Sequence, residues 1–201
     1  MAVPPIEVWF DFASNYSYLS VMRLEDAACR HGVRVVWQPF FLGPILRDLG
    51  FAMPKQKLAH VWRDMARQTG KYGLPWTQPS AFPRLSVLPA RVALLGVGEP
   101  WIGAFCRGVM ALNWVRDADI NAPENLAPIL TELGLAAADL LARAQADPAK
   151  AQLRAQTEAA RARGIFGAPT FFVGTEMFWG DDRLDDALAL AAQGVAGAAY
   201  A

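Results

Sequence analysis

Cysteine and histidine are scarce in this 201-residue chain: Cys29, Cys106, His31 and His60 are all it has. Two cysteines far apart exclude a disulfide-stapled scaffold. Each lies inside an amphipathic helical pattern, so they read as free buried thiols acting as small hydrophobes, with a single bridge between them as the alternative. The two histidines show no clustered ligand spacing, which argues against a protein-built zinc site, and neither has the context of a Ser-His-Asp triad. Net charge is absent as well: 19 basic residues balance 19 acidic ones, leaving no field to attract nucleic acid or an anionic membrane. No apolar run approaches the roughly 18 residues of a membrane span. The segment Met1 to Glu7 lacks a basic stretch followed by an apolar one. These absences predict a soluble cytoplasmic protein with no nucleic-acid or membrane partner.

What is present is an order of elements punctuated by glycine and proline. Ile6 to Phe10 is an apolar run that reads as a buried strand, and Tyr16 to His31 carries Leu19, Met22, Ala27 and Ala28 at helical spacing before a stop at Gly32. Val33 to Phe41 follows as a second strand, which makes strand-helix-strand with a crossover. From Gly43 to about Gly164 the pattern is helical, with breaks expected at Gly70, Pro75 to Pro83, Gly96 to Pro100, Asn121 to Pro123, Gly134 and Pro148. The alanine-rich stretch Ala136 to Ala162 is simply good helix former. Strands return at Thr170 to Val173 and Glu176 to Trp179, joined by Gly174-Thr175, and a closing helix starts at Asp181 or Asp182. Residues from Gln193 to Ala201 read as frayed. The prediction is an α/β protein: a discontinuous domain, residues 1–42 and 165–201, interrupted by an inserted helical subdomain, residues 43–164.

Three corners of this layout could carry chemistry. Asp11-Phe12-Ala13-Ser14-Asn15-Tyr16-Ser17-Tyr18 joins the first strand to the first helix, where free backbone N–H groups and the positive end of a helix dipole suit an anion such as a thiolate. Ser14 there is an N-cap by the commonest reading. Gly167-Ala168-Pro169-Thr170-Phe171 is a proline turn feeding a strand, and X-Pro is where cis peptide bonds occur. Trp179-Gly180-Asp181-Asp182-Arg183 opens the last helix, where an aspartate is commonly a cap and a free N-terminus is also a carboxylate site.

The motifs Asp11-Phe12-x-Ser14-x-Tyr16-Ser17-Tyr18-Leu19, Phe166-Gly167-x-Pro169-Thr170-Phe171 and Phe178-Trp179-Gly180-x-Asp182-Arg183-Leu184 resemble the thioredoxin-like proteins of the DsbA and kappa-class glutathione transferase type. Within that family the chain looks most like the 2-hydroxychromene-2-carboxylate isomerases, from about Ile6 to Leu190. The resemblance implies a thioredoxin-like fold with a large helical insertion. Ser14-Asn15-Tyr16-Ser17 stands where redox members carry C-x-x-C, so disulfide chemistry at that turn is excluded. It further implies that glutathione is the cofactor and that Ser14 donates its hydroxyl hydrogen to the glutathione sulfur. Ala168 and Pro169 would clasp the cysteinyl part, while Trp179, Gly180, Asp181 and Asp182 hold the γ-glutamyl end; Asp182 matches the family acid and Asp181 stands where relatives vary.

On the substrate side the resemblance places Arg47 and Lys57 near an organic carboxylate and Ser86 in a loop, Phe82 to Ser86, beside it. Two departures stand out: Leu85 where asparagine is frequent, and Asn15 where proline is usual. Of Trp37, Trp62, Trp76, Trp101, Trp114 and Trp179, most read as core, with one or two left to wall a pocket for an aromatic acceptor. The implied activity is reversible addition of a glutathione thiolate to a conjugated double bond of a small aromatic carboxylate, giving net isomerisation, in a homodimer. A kappa-like conjugating transferase, or a non-catalytic module binding extended peptides along Ala168-Pro169, are the alternatives.

Overall fold

The computed structural model describes residues 3–194. Strand β1 (Ile6–Phe10) is followed by helix α1 (Asn15–His31) and strand β2 (Val35–Pro39), which runs parallel to β1 as a crossover connection requires. Seven helices come next: α2 (Gly43–Asp48), α3 (Lys55–Tyr72), α4 (Val87–Leu95), α5 (Ile102–Trp114), α6 (Pro123–Glu132), α7 (Ala137–Gln145) and α8 (Asp147–Ala162). The chain then forms strands β3 (Thr170–Val173) and β4 (Glu176–Trp179), a 3-10 turn (Asp181–Arg183) and helix α9 (Leu184–Ala192). The sheet order is β2-β1-β3-β4, with β3 antiparallel to both β1 and β4. This is the element order the sequence predicted.

Differences lie at the edges of elements. The second strand is shorter than Val33 to Phe41 because the Val33 N–H turns back to the Ala28 carbonyl at the end of α1. Gly70 does not break its helix; α3 continues to Tyr72 and stops at Gly73, whose φ of 65° is the left-handed conformation glycine adopts without a side-chain penalty. Cys29, expected to be buried, is exposed near the end of α1, whereas Cys106 is fully buried; both are free thiols. Gln193 and Gly194 form a turn, and the rest of the segment expected to fray lies outside the described residues. No described helix is long and apolar enough to cross a membrane.

β1 is buried on both faces by the pleat. Ile6, Val8 and Phe10 join a large cluster with Leu19 and Leu24 of α1, Phe105 and Val109 of α5 and Leu188 of α9, while Trp9 faces a smaller one with Phe40, Ile45, Ala160, Ile165 and Phe172. Burial of each such large apolar side chain contributes about 1.5–3 kcal/mol. Register then positions the rest. Trp9 pairs with Thr170 across the antiparallel β1–β3 ladder, so the residues just after β1 and just before β3 leave the sheet side by side. The turn Asp11 to Ser14 and the corner Ala168-Pro169, far apart in sequence, are neighbours for that reason.

Candidate active site

Ser14 caps α1 in extended conformation (φ −86°, ψ 118°), and its Oγ accepts the Ser17 N–H at 3.2 Å. The same hydroxyl donates to the Ala168 carbonyl at 2.8 Å. Ala168-Pro169 is a cis peptide. The Pro169 carbonyl in turn accepts the Gly180 N–H at 3.0 Å, and Thr170 Oγ1 donates to the Gly167 carbonyl at 2.9 Å. Three segments singled out in the sequence, around residues 14, 168 and 180, are thus joined by direct hydrogen bonds. Asn15, one step along α1, is buried, and its Nδ2 meets no partner among the described residues.

Asp11 organises the turn. Its carboxylate is buried and accepts from the Ala13 N–H at 2.8 Å, the Leu42 N–H at 2.7 Å and Ser86 Oγ at 2.6 Å, linking the turn to the start of α2 and the start of α4. Burial pushes its carboxyl above the ordinary carboxylate value, and the three donors offset that only in part. Ser86, expected on the substrate side, is fully buried and donates its hydroxyl to Asp11, which ties the turn to the start of α4. The Phe12 carbonyl accepts from Asn113 Nδ2 at 2.9 Å and Trp114 Nε1 at 3.1 Å, both from the end of α5.

The segment that opens α9 divides its two aspartates between roles. Asp181, expected at the ligand, points inward: it is 6% exposed and accepts from Ser20 Oγ at 2.7 Å and Arg23 Nη2 at 2.9 Å, both on α1. Arg23 also lies over the Tyr72 ring, 3.6 Å from its centroid, so α1, α3 and this segment are tied through one guanidinium. Asp182 is exposed, with the Arg183 guanidinium 3.4 Å from its carboxylate. Trp179 is exposed and meets Phe166 edge-to-face with ring centroids 4.8 Å apart. Gly167 is required between them, because a Cβ there would run into the indole. Tyr16 donates its hydroxyl to Asp64 Oδ2 at 2.8 Å; burial, Asp64 and the charges of Asp182 and Asp181 raise its phenol well above the usual value.

Arg47 and Lys57 are not drawn into this cluster. Arg47 is an exposed side chain whose nearest acid is Asp48 at 3.6 Å, and Lys57 Nζ sits 4.7 Å from the centroid of the Phe51 ring. The tryptophans split: Trp37 and Trp114 are core, while Trp62, Trp76 and Trp101 are half-buried. Trp62, Trp76, Phe82 and Trp114 form a continuous aromatic mesh, with Trp76 stacked on Trp114 at 5.9 Å and Phe82 against Trp62 at 4.8 Å. Through Trp114 this mesh abuts the Phe12 carbonyl, two residues before Ser14. Tyr18 joins it at 6.5 Å from Trp114, with its phenol pushed up to about 12 by burial. A groove of about 610 Å³ lined by Glu25, Cys29, Arg34, Trp37 and Glu99 lies elsewhere, at the C-terminal end of α1.

Asp11 and Phe166 were within the quoted motifs but carried no role there. Trp114 was named only among the tryptophans that are core or pocket wall, and Asn113, Arg23 and Asp64 gave no signal at all, since each reaches the site from a helix whose sequence reads as ordinary amphipathic pattern.

Comparison with known proteins identifies the fold and family. A family model described as a DSBA-like thioredoxin domain matches residues 5–191. A 2-hydroxychromene-2-carboxylate isomerase from Sphingobium xenophagum is 30% identical over 190 residues, covering 90% of this chain and 94% of that protein. One from Pseudomonas putida is 28% identical over 192 residues, covering 89% and 90%. The solved structure of a 2-hydroxychromene-2-carboxylate isomerase superposes with a TM-score of 0.82 at 27% identity, covering 89% of this chain and 90% of that one. The cytosolic disulfide reductase DsbM from Pseudomonas aeruginosa shares the fold, with a TM-score of 0.67 at 18% identity and coverage of 92% and 96%.

Proposed function

The chain belongs to the DSBA-like thioredoxin domain family, and we propose that within it the protein is a glutathione-dependent isomerase acting on 2-hydroxychromene-2-carboxylate or a similar intermediate of aromatic degradation. The observation that carries the reading is Ser14: a hydroxyl, not a thiol, at the N-cap of α1 and in contact with the cis-proline corner. Relatives named as isomerases of this substrate support the reaction class.

The residues present fit a thiol peptide. Among the described residues the Ala168 N–H meets no acceptor, while its carbonyl is held by Ser14, which leaves a backbone donor beside the hydroxyl. When bound, glutathione supplies a sulfur nucleophile that adds reversibly to an electron-poor double bond and leaves again. The protein's part is to place and ionise that sulfur. Ser14 has one proton, now given to the Ala168 carbonyl, so donation to a thiolate requires the hydroxyl to turn from one acceptor to the other while Oγ keeps the Ser17 N–H. The first-turn N–H groups of α1 and its dipole add to the preference for the charged sulfur. Asp182, exposed at the start of the last helical segment, offers a carboxylate to the amine of the γ-glutamyl end. The Asp181–Arg23–Ser20 contacts hold that segment in place. The half-buried faces of Trp62, Trp76 and Phe82 offer an aromatic wall for the acceptor.

The test is calorimetric titration of glutathione into the wild type and Ser14→Ala, with thiolate ultraviolet absorbance followed in parallel, and then assay of 2-hydroxychromene-2-carboxylate turnover. Binding by both, a thiolate signal in the wild type only, and glutathione recovered unchanged after turnover would support the reading. Absence of binding by the wild type would overturn it, and a stable glutathione adduct as product would replace isomerisation with conjugation.

A further inference from the structure

The Phe12–Ala13 peptide is clamped at both ends. Its carbonyl accepts from Asn113 Nδ2 at 2.9 Å and Trp114 Nε1 at 3.1 Å, which uses both lone pairs, and its N–H donates to Asp11 Oδ1 at 2.8 Å. A peptide unit is planar, so fixing the C=O and the N–H together removes its freedom to rotate, and Ser14 follows one residue later. Two donors on the carbonyl also polarise the unit and strengthen the N–H bond to Asp11.

Asn113 is itself oriented. It is 1% exposed, and its Oδ1 accepts from Arg84 Nη1 at 3.0 Å, so the oxygen must face the guanidinium and the NH2 must face Phe12. Arg84, whose side chain is 8% exposed, pairs through Nη2 with the Asp117 carboxylate and donates to the Asp117 carbonyl at 3.1 Å and Ser80 Oγ at 3.2 Å. Asp117 in turn accepts the Ser80 N–H at 2.8 Å. The strap that carries Arg84 also carries Ser86, which holds Asp11. Both ends of the clamped peptide therefore lead back to residues 80–86.

We propose that Asn113 is a positioning residue for Ser14, aimed by the Arg84–Asp117 pair, and that this network governs how well Ser14 stabilises a bound thiolate. The inference rests on the glutathione reading above. Asn113 touches neither the thiol nor the acceptor; it acts through the Phe12 carbonyl. A residue that merely stabilised the fold would change protein stability, not the ionisation of bound ligand.

The experiment measures glutathione affinity and thiolate absorbance per bound glutathione in the wild type, Asn113→Asp and Asp117→Asn. Asn113→Asp keeps the acceptor for Arg84 and removes the donor to Phe12. The expected result is affinity within about threefold of wild type and a thiolate-to-thiol ratio lower by about tenfold in Asn113→Asp, equivalent to one unit of thiol pKa. Asp117→Asn, at the more exposed end of the network, should give a smaller loss in the same direction, and decides the matter if Asn113→Asp does not fold. A wild-type thiolate fraction in the folded variants would overturn the proposal. If the wild type binds glutathione without any thiolate signal, the role of Ser14 and this network fall together. If it binds no glutathione, the failure lies in the functional reading and the network proposal falls with it.

Discussion

Replacing Asp11 with asparagine tests how the Ser14 turn is held. The substitution keeps shape and removes the charge. In the native turn one carboxylate oxygen takes the Ala13 N–H and the Ser86 hydroxyl, and the other takes the Leu42 N–H. An asparagine has one acceptor oxygen, so whichever way its amide faces, one backbone N–H loses its partner in a buried site. That loss costs about 1–3 kcal/mol, which for a chain of this size lowers Tm by roughly 2–12 °C. The pH dependence is more diagnostic. Burial raises the Asp11 carboxyl above its unfolded value, so the folded state binds its proton more tightly than the unfolded state does. The sign follows: Asp11 contributes stability that is fully present below the unfolded value and is lost as pH rises through the raised folded value. The neutral acid can donate to Ser86 Oγ and still accept from both backbone groups, so no bond is lost on protonation. Thermal denaturation of wild type and Asp11→Asn across the acid range, taken as a difference, cancels the other carboxylates. The gap should be widest at low pH and narrow as pH rises. A gap that widens with pH would mean that the three donors outweigh burial and would refute the argument.

Two further outcomes follow from contacts elsewhere. Arg23→Gln should destabilise the protein by about 3 kcal/mol in urea denaturation, because it leaves the buried Asp181 charge with Ser20 as its remaining partner; a loss below about 1 kcal/mol would show that Asp181 is not dependent on the guanidinium. An aromatic disulfide reagent should titrate one thiol quickly in the native protein, Cys29, and a second only after denaturation, since Cys106 is fully buried and its thiol is raised well above the usual value; fast reaction of two thiols would contradict the packing of α5.

The sequence by itself determined the order of elements and the three corners that meet at Ser14. Short strands rich in apolar residues, glycine stops and proline turns are local signals, and they placed β1, β3 and β4 with little error. The motifs around Ser14, Ala168-Pro169 and Trp179-Gly180 were likewise legible, because each needs particular residue types in consecutive positions. What only tertiary structure decided is the use of each side chain. Nothing local distinguishes Asp181, paired inward with Arg23, from Asp182, left in solvent one residue later; the difference is which of them α1 passes. Ser86 and Asn113 became supports of the turn only when the helices between β2 and β3 folded back on it. Hydrogen bonds across about 75 or 100 residues are set by the packing of whole elements, and the spacing of residues along the chain carries no trace of them.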